Sequence, residues 1–262
     1  MKKLIIIICF FNSIIFGTGL FGQNAKKPLD HSVYNDWKSI QKVVISNDGN
    51  WVSYEINPQD GDGRLIIYDV KTQKTDTIQR GTDLVFSSDA SFAAFKIKPQ
   101  KSVVRAAKKA KKKKDQMPMD SLGIYNLATG QLEKFAELKT FEVPKKTPGI
   151  IAFQIKAPEE KADTTVSGLD TIPENKPKDK SKKEEESGRL IFYQLTNGFQ
   201  KQWDQVNSFT VPEEGAALYI SIETGDSIKN SQVIRFDYKK QEEITVFNSE
   251  GTTKELTTDK KG

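Results

Sequence analysis

Ser46-Asn47-Asp48-Gly49-Asn50-Trp51-Val52-Ser53-Tyr54-Glu55-Ile56 decides the fold, because the stretch comes back. It returns as Ser87-Ser88-Asp89-Ala90-Ser91-Phe92-Ala93-Ala94-Phe95-Lys96-Ile97, then more loosely as Gly149-Ile150-Ile151-Ala152-Phe153-Gln154-Ile155 and as Gly215-Ala216-Ala217-Leu218-Tyr219-Ile220. Aligned this way, Tyr54, Phe95, Phe153 and Tyr219 hold equivalent places. A second motif follows each copy: Leu65-Ile66-Ile67-Tyr68-Asp69-Val70, Leu122-Gly123-Ile124-Tyr125-Asn126-Leu127, Leu190-Ile191-Phe192-Tyr193-Gln194-Leu195 and Val233-Ile234-Arg235-Phe236-Asp237-Tyr238.

The chemistry of one unit specifies strands. Val52, Tyr54 and Ile56 alternate with Ser53 and Glu55, a period of two in β-branched and aromatic residues bounded by turn residues. Ser-x-Asp-Gly is a tight turn, in which the carboxylate bonds its own backbone and glycine takes a positive φ without strain. A strand before the turn (Val43 to Ile45) and a short outer strand (Thr75 to Ile78, Leu132 to Phe135, Ile244 to Phe247) bring each unit to about four strands. No stretch sustains an apolar period of 3.6, so helices are expected to be few. Four antiparallel strands at a base period of about 40 residues are the signature of a propeller blade. The expectation is an all-β chain: a β-propeller of four-stranded antiparallel blades over residues 30–250, about four of them present, in an incomplete ring, with residues 251–262 a truncated or open end.

The units differ in one place. Tyr54 and Tyr68 are 14 residues apart and Tyr219 and Phe236 are 17 apart, but Phe95 to Tyr125 spans 30 and Phe153 to Tyr193 spans 40. Both long insertions fall between the second and third strands of a blade, on the side of the blade-to-blade connections. They are rich in Lys, Glu, Asp, Pro, Thr and Ser and poor in apolar surface, which predicts disordered insertions at about 100–118 and 157–187.

Charge follows the same division. The formal net charge is +5, but Lys101 to Lys114 holds eight cations and no acid, and the rest of the chain is slightly acidic. A nucleic-acid footprint would need cations spread over a folded face, so no nucleic-acid partner is expected. The tract reads as a solvated loop or as a dock for an anionic surface. At the N-terminus, Lys2 and Lys3 precede the apolar run Leu4 to Phe11 and then Gly17, Thr18, Gly19 and Gly22, the layout of a signal peptide over residues 1–22. An uncleaved anchor is the other reading. Export, to the periplasm or cell surface, follows from either. Cys9, the only cysteine, lies in this leader, so the remaining chain offers no disulfide, thiol nucleophile or cysteine-built zinc site.

Catalytic machinery is not legible. A serine hydrolase needs an imidazole base oriented by a carboxylate, and in α/β-hydrolases the histidine comes last. The only histidine is His31, and no Gly-x-Ser-x-Gly exists. His31 reads as a surface or packing residue. Asp60-Gly61-Asp62-Gly63 lacks the downstream ligands of a calcium loop and reads as an inter-strand turn. Trp37, Trp51 and Trp203 read as core or blade-interface residues. No catalytic, cofactor-binding or metal-ligating residue is predicted, and no cofactor.

Val33-Tyr34-Asn35-Asp36-Trp37-Lys38-Ser39-Ile40, followed by Ser46-Asn47-Asp48-Gly49 and Asn57-Pro58-Gln59, resembles the propeller entrance of exported prolyl oligopeptidase family serine peptidases. The turns and the Leu-x-Ile-Tyr-Asp strands also resemble TolB-type repeats. The first resemblance implies a propeller preceding a C-terminal α/β-hydrolase domain and admitting only peptides or loose chain ends. The expected function is therefore a non-catalytic gating region of such a peptidase, with the hydrolase domain and peptide substrates as partners and the activity on residues outside this chain. The second implies a stand-alone periplasmic scaffold that binds proteins.

Overall fold

The computed structural model describes residues 31–157, 187–225, 229–253 and 255–262. The leader and nearly all of the second insertion lie outside the described residues. Two units are distinguished, Met1–Trp37 and Lys38–Gly262. In the first, a 3-10 turn over His31–Asp36 carries His31 edge-on to Tyr34, with Tyr34 tilted against Trp37 at 5.2 Å. His31 is a surface residue, as expected. Trp37 is half exposed (51%) and not the core residue the sequence predicts, because its ring neighbour in this short turn is Tyr34.

The second unit is four blades in succession. The first is an antiparallel meander of β1 (Lys38–Ile45), β2 (Trp51–Pro58), β3 (Arg64–Asp69) and β4 (Thr75–Gln79). The second holds β5 (Gly81–Phe86), β6 (Phe92–Ile97), β7 (Asp120–Asn126) and the start of β8 (Leu132–Glu142). β8 then pairs from Leu138 onward with β9 (Ile150–Lys156), which begins the third blade, continued by β10 (Gly188–Gln194) and β11 (Phe199–Thr210). β11 passes in the same way to β12 (Ala217–Thr224), β13 (Asn230–Asp237) and β14 (Glu242–Glu250). An outer strand thus runs straight into the inner strand of the next blade. The bend falls on a residue with positive φ each time: Arg80 (+62°), Glu137 (+56°) and Gln205 (+57°). No sheet closes on itself among the described residues.

The repeat is visible in hydrogen bonds as well as in letters. The N–H groups of Val70, Leu127, Leu195 and Tyr238 donate to the carbonyls of Asn50, Ser91, Gly149 and Ala216, one such bond per blade. Counting from those acceptors corrects the sequence alignment at one point. The fourth equivalent of Tyr54, Phe95 and Phe153 is Ile220 and not Tyr219. Successive strand residues face opposite sides, so a slip of one exchanges core for outer face. Ile220 is fully buried, whereas Tyr219 pairs with Arg235 and is half-buried.

Among the described residues, three hydrophobic cores occupy the three spaces between four blades. Leu65 and Ile67 meet Phe95 and Tyr125; Phe92 and Ile124 meet Phe153 and Ile191; Leu190 and Phe192 meet Leu218 and Phe236. The central strands are apolar on both sides for this reason. Gly123 belongs to this packing: it pairs with Phe95, and a β-carbon there would lie 2.4 Å from the Phe95 ring. The side of the first blade facing away from the second keeps Tyr54 only half-buried and Ile40 and Ile45 exposed.

Beyond β14, residues 255–262 carry one more aspartate of the turn type. Thr257-Thr258-Asp259 matches Ser46-Asn47-Asp48 and Ser87-Ser88-Asp89, and the N–H two residues on donates to the aspartate in all three: Lys261 to Asp259, Asn50 to Asp48, Ser91 to Asp89. Asn207 Nδ2 on β11 donates to the Thr253 carbonyl, and the Glu214 N–H, just before β12, donates to the Lys260 carbonyl. The aspartate-to-backbone bond of the first two blades' turns thus occurs a third time.

Candidate functional site

The first insertion builds the most site-like feature of the chain. Its composition predicts disorder, yet it contains α1 (Lys101–Lys109) and a 3-10 turn at Lys114–Gln116. Ala107 is buried and Val104 half-buried, so one side of α1 faces protein. The sequence hides this, because seven lysines dilute two apolar contacts below any periodic signal. The anchor lies 40 residues upstream. Asp60 Oδ1 accepts from Lys101 Nζ at 2.6 Å and from Arg105 at 2.5 Å, one helical turn apart. Asp62 Oδ1 accepts the N–H of Lys101 at 2.9 Å, capping a helix end that has no side-chain cap of its own. Lys108 and Lys109 close the helix where its dipole favours cations. The Asp60-Gly61-Asp62-Gly63 turn connects β2 to β3, as expected, and also docks the insertion. The two cations hold the Asp60 carboxyl down to about 2.

A cleft of about 470 Å³ lies between this turn, the insertion and the first strands of the second blade. At its floor sits Glu55, a carboxylate only 3% exposed. Burial works against its charge. The Thr82 hydroxyl (2.7 Å), the Asp83 N–H (2.9 Å) and Lys42 (3.3 Å) more than compensate, and its pKa lies below the ordinary value. Lys42 also pairs with Asp83 at 2.6 Å. These two sit at equivalent places, each four residues before its Ser-x-Asp turn, at a bulge and with positive φ (+48° and +55°). Gln154 is the third-blade equivalent of Glu55, and its amide donates to the Val206 carbonyl at 2.7 Å. Glu55 and Gln154 therefore act alike, each a buried polar side chain on a second strand that fastens the inner strand of the next blade. Opposite letters, acceptor and donor, conceal this in the sequence.

Of the tryptophans read as packing residues, Trp203 is buried, with Nε1 donating to Glu243, and Trp51 packs on the first interblade core. Among the described residues no group of three or more His, Cys, Asp or Glu is gathered as metal ligands, and no helix is long and apolar enough to cross a membrane.

No protein-family model matches the sequence, and no curated protein sequence matches it. Among solved structures the chain is similar to the β-propeller domain of the Trilobed protease from Pyrococcus furiosus, at 10% identity and a TM-score of 0.45 over 80% of this chain and 58% of that one. It is similar to the acylaminoacyl peptidase of Pyrococcus horikoshii at 11% identity and 0.45, over 86% of this chain and 34% of that one. A putative 6-phosphogluconolactonase from Bacteroides fragilis is similar at 10% identity and 0.36, over 87% and 58%. The chain thus spans less than two thirds of each of these structures. The blade assignment rests on the strand register and the repeated hydrogen bonds.

Proposed function

We propose that this chain is the non-catalytic propeller region of an exported serine peptidase and gates peptide access to an α/β-hydrolase domain C-terminal to it. The observation that carries the reading is the blade stack itself, entered through the Val33–Ile40 segment that resembles the propeller entrance of prolyl oligopeptidase family peptidases. Two features agree with it. The first blade presents Ile40, Ile45 and Tyr54 on a side that every later blade buries against its predecessor. Thr257-Thr258-Asp259 repeats the aspartate-to-backbone bond of the turns that precede β2 and β6. Catalysis in this reading belongs to a nucleophile and a late histidine outside these 262 residues.

The test is made on the product of the complete reading frame. A serine-directed fluorophosphonate should label it at a Gly-x-Ser-x-Gly serine, and removing residues 38–250 should raise cleavage of a folded protein relative to that of a short peptide. A full-length product that takes no label would overturn the peptidase reading. An unchanged ratio of the two activities would overturn gating.

A further inference from the structure

The geometry points to the cleft beside α1 as a receptor for a carboxylate carried on an apolar body, the chemistry of a peptide's free C-terminal end. This goes beyond gating, and the cleft itself supplies the argument. Its volume, about 470 Å³, is that of small-ligand sites. The insertion folds back as a helix fixed by Asp60 and Asp62, so the wall is built and held. Pro99, Val104 and Pro118 give that wall an apolar lining.

The charges on the lining are unequally committed. Glu55 and Asp62 already accept hydrogen bonds, and Lys101 is paired with Asp60. The side chains of Arg80 and Lys98 make no ion pair or hydrogen bond among the described residues. Neither does Asp120, so the uncommitted groups are two cations and one carboxylate. Arg80 and Lys98 are neighbours, since the Lys98 N–H donates to the Arg80 carbonyl at 2.9 Å. The register Gly81↔Ile97↔Ser121 sets Arg80, Lys98 and Asp120 at the ends of three consecutive strands. Asp120 lies across from Lys98 and offsets part of its charge, and a bound carboxylate would supply the anion that Arg80 lacks. A guanidinium offers it a fork of two donors, with an ammonium beside it. The bend at Arg80 is not special, since Glu137 and Gln205 have nearly the same φ at equivalent bends. The arginine at that bend is what differs.

Calorimetry on the full chain at low ionic strength tests this with N-acetyl-Ala-Ala-Ala-Leu as the free acid and as its C-terminal amide. The acid should bind at least about tenfold more tightly than the amide, and Arg80→Gln or Lys98→Gln should each weaken the acid by about tenfold or more. Arg80→Gln installs the residue that Gln205 already supplies at a similar φ, so the variant should fold and melt as the parent does. Lys109→Gln, on the same helix but off the cleft lining, should bind the acid unchanged. Equal binding of acid and amide, undiminished binding by both cleft variants, or no saturable binding of the acid would overturn the assignment. The fluorophosphonate label and the cleavage ratio read gating separately, so the two ideas fail independently.

Discussion

Ala90 and Gly49 occupy one place in two copies of the same turn, and both have positive φ (+51° and +70°). The surrounding bonds are duplicated: Gly49 N–H to the Ser46 carbonyl and Ala90 N–H to the Ser87 carbonyl, with each serine hydroxyl accepting from the first residue of the following strand. Alanine bears a left-handed strain that glycine avoids, against glycine's greater entropy in the unfolded chain. Ala90→Gly should therefore raise stability by about 0.5–1 kcal/mol, and Gly49→Ala should lower it by about 1 kcal/mol, both read by urea denaturation. A β-carbon at Gly49 would meet nothing within 4 Å, so only φ is being tested there. Glu142 gives a second test. Burial pushes its carboxyl up, against one hydrogen bond from the Val211 N–H. A carboxyl raised in the fold costs nothing while both states are protonated. It costs progressively more as pH rises from its ordinary value through its folded one. Glu142→Gln keeps an acceptor for Val211 and removes the charge, so it should stabilise at pH 7 and have no effect at pH 3. The turn residues were legible in the letters because their side chains act on their own backbone. The slip between Tyr219 and Ile220 was not, because both residues suit a strand and only pairing decides which one faces the core.

At the scale of elements, strands announced themselves and α1 did not. β2 alternates and β6, β9 and β12 are short apolar runs beside local turns, whereas α1 is held by carboxylates some 40 residues away. Composition alone correctly describes the lysines as solvated and misses the clasp beneath them. The clasp has a pH signature. Asp60 is held down to about 2, below its unfolded value, so its contribution is complete above about pH 4 and is lost as pH falls through 2. Exposed ion pairs contribute little to global stability, so Asp60→Asn should leave the melting midpoint nearly unchanged. Local opening should respond instead. Amide exchange across residues 101–109, corrected for intrinsic rates, should accelerate at least about threefold in Asp60→Asn at pH 5. The parent should show the same acceleration at pH 2 and not at pH 4. Equal protection in the parent and Asp60→Asn would mean that the buried side of α1 holds the helix without Asp60.

For the molecule as a whole, the governing fact is that each blade is covered by its neighbour, so one position has different energies in different blades. Phe153 and Tyr54 are equivalent by strand and by interblade direction. Phe153 is fully buried between the second and third blades, and Tyr54 points away from the second blade and is half-buried. Truncating Phe153 removes a complete set of contacts and leaves a cavity, so Phe153→Ala should cost about 3–5 kcal/mol. Tyr54 loses less apolar contact, and Tyr54→Ala should cost about 1 kcal/mol in the 262-residue chain. Stacked repeats gain stability chiefly from nearest-neighbour interfaces. A blade laid on the Tyr54 side would therefore convert that position into an interface like those around Phe95 and Phe153. The two substitutions, compared by urea denaturation in this chain and in the longer product proposed above, measure whether that happens. If a further blade closes on β1–β3 in the longer product, the cost of Tyr54→Ala rises there towards that of Phe153→Ala. If it stays near 1 kcal/mol, that side of the first blade carries no blade in either form.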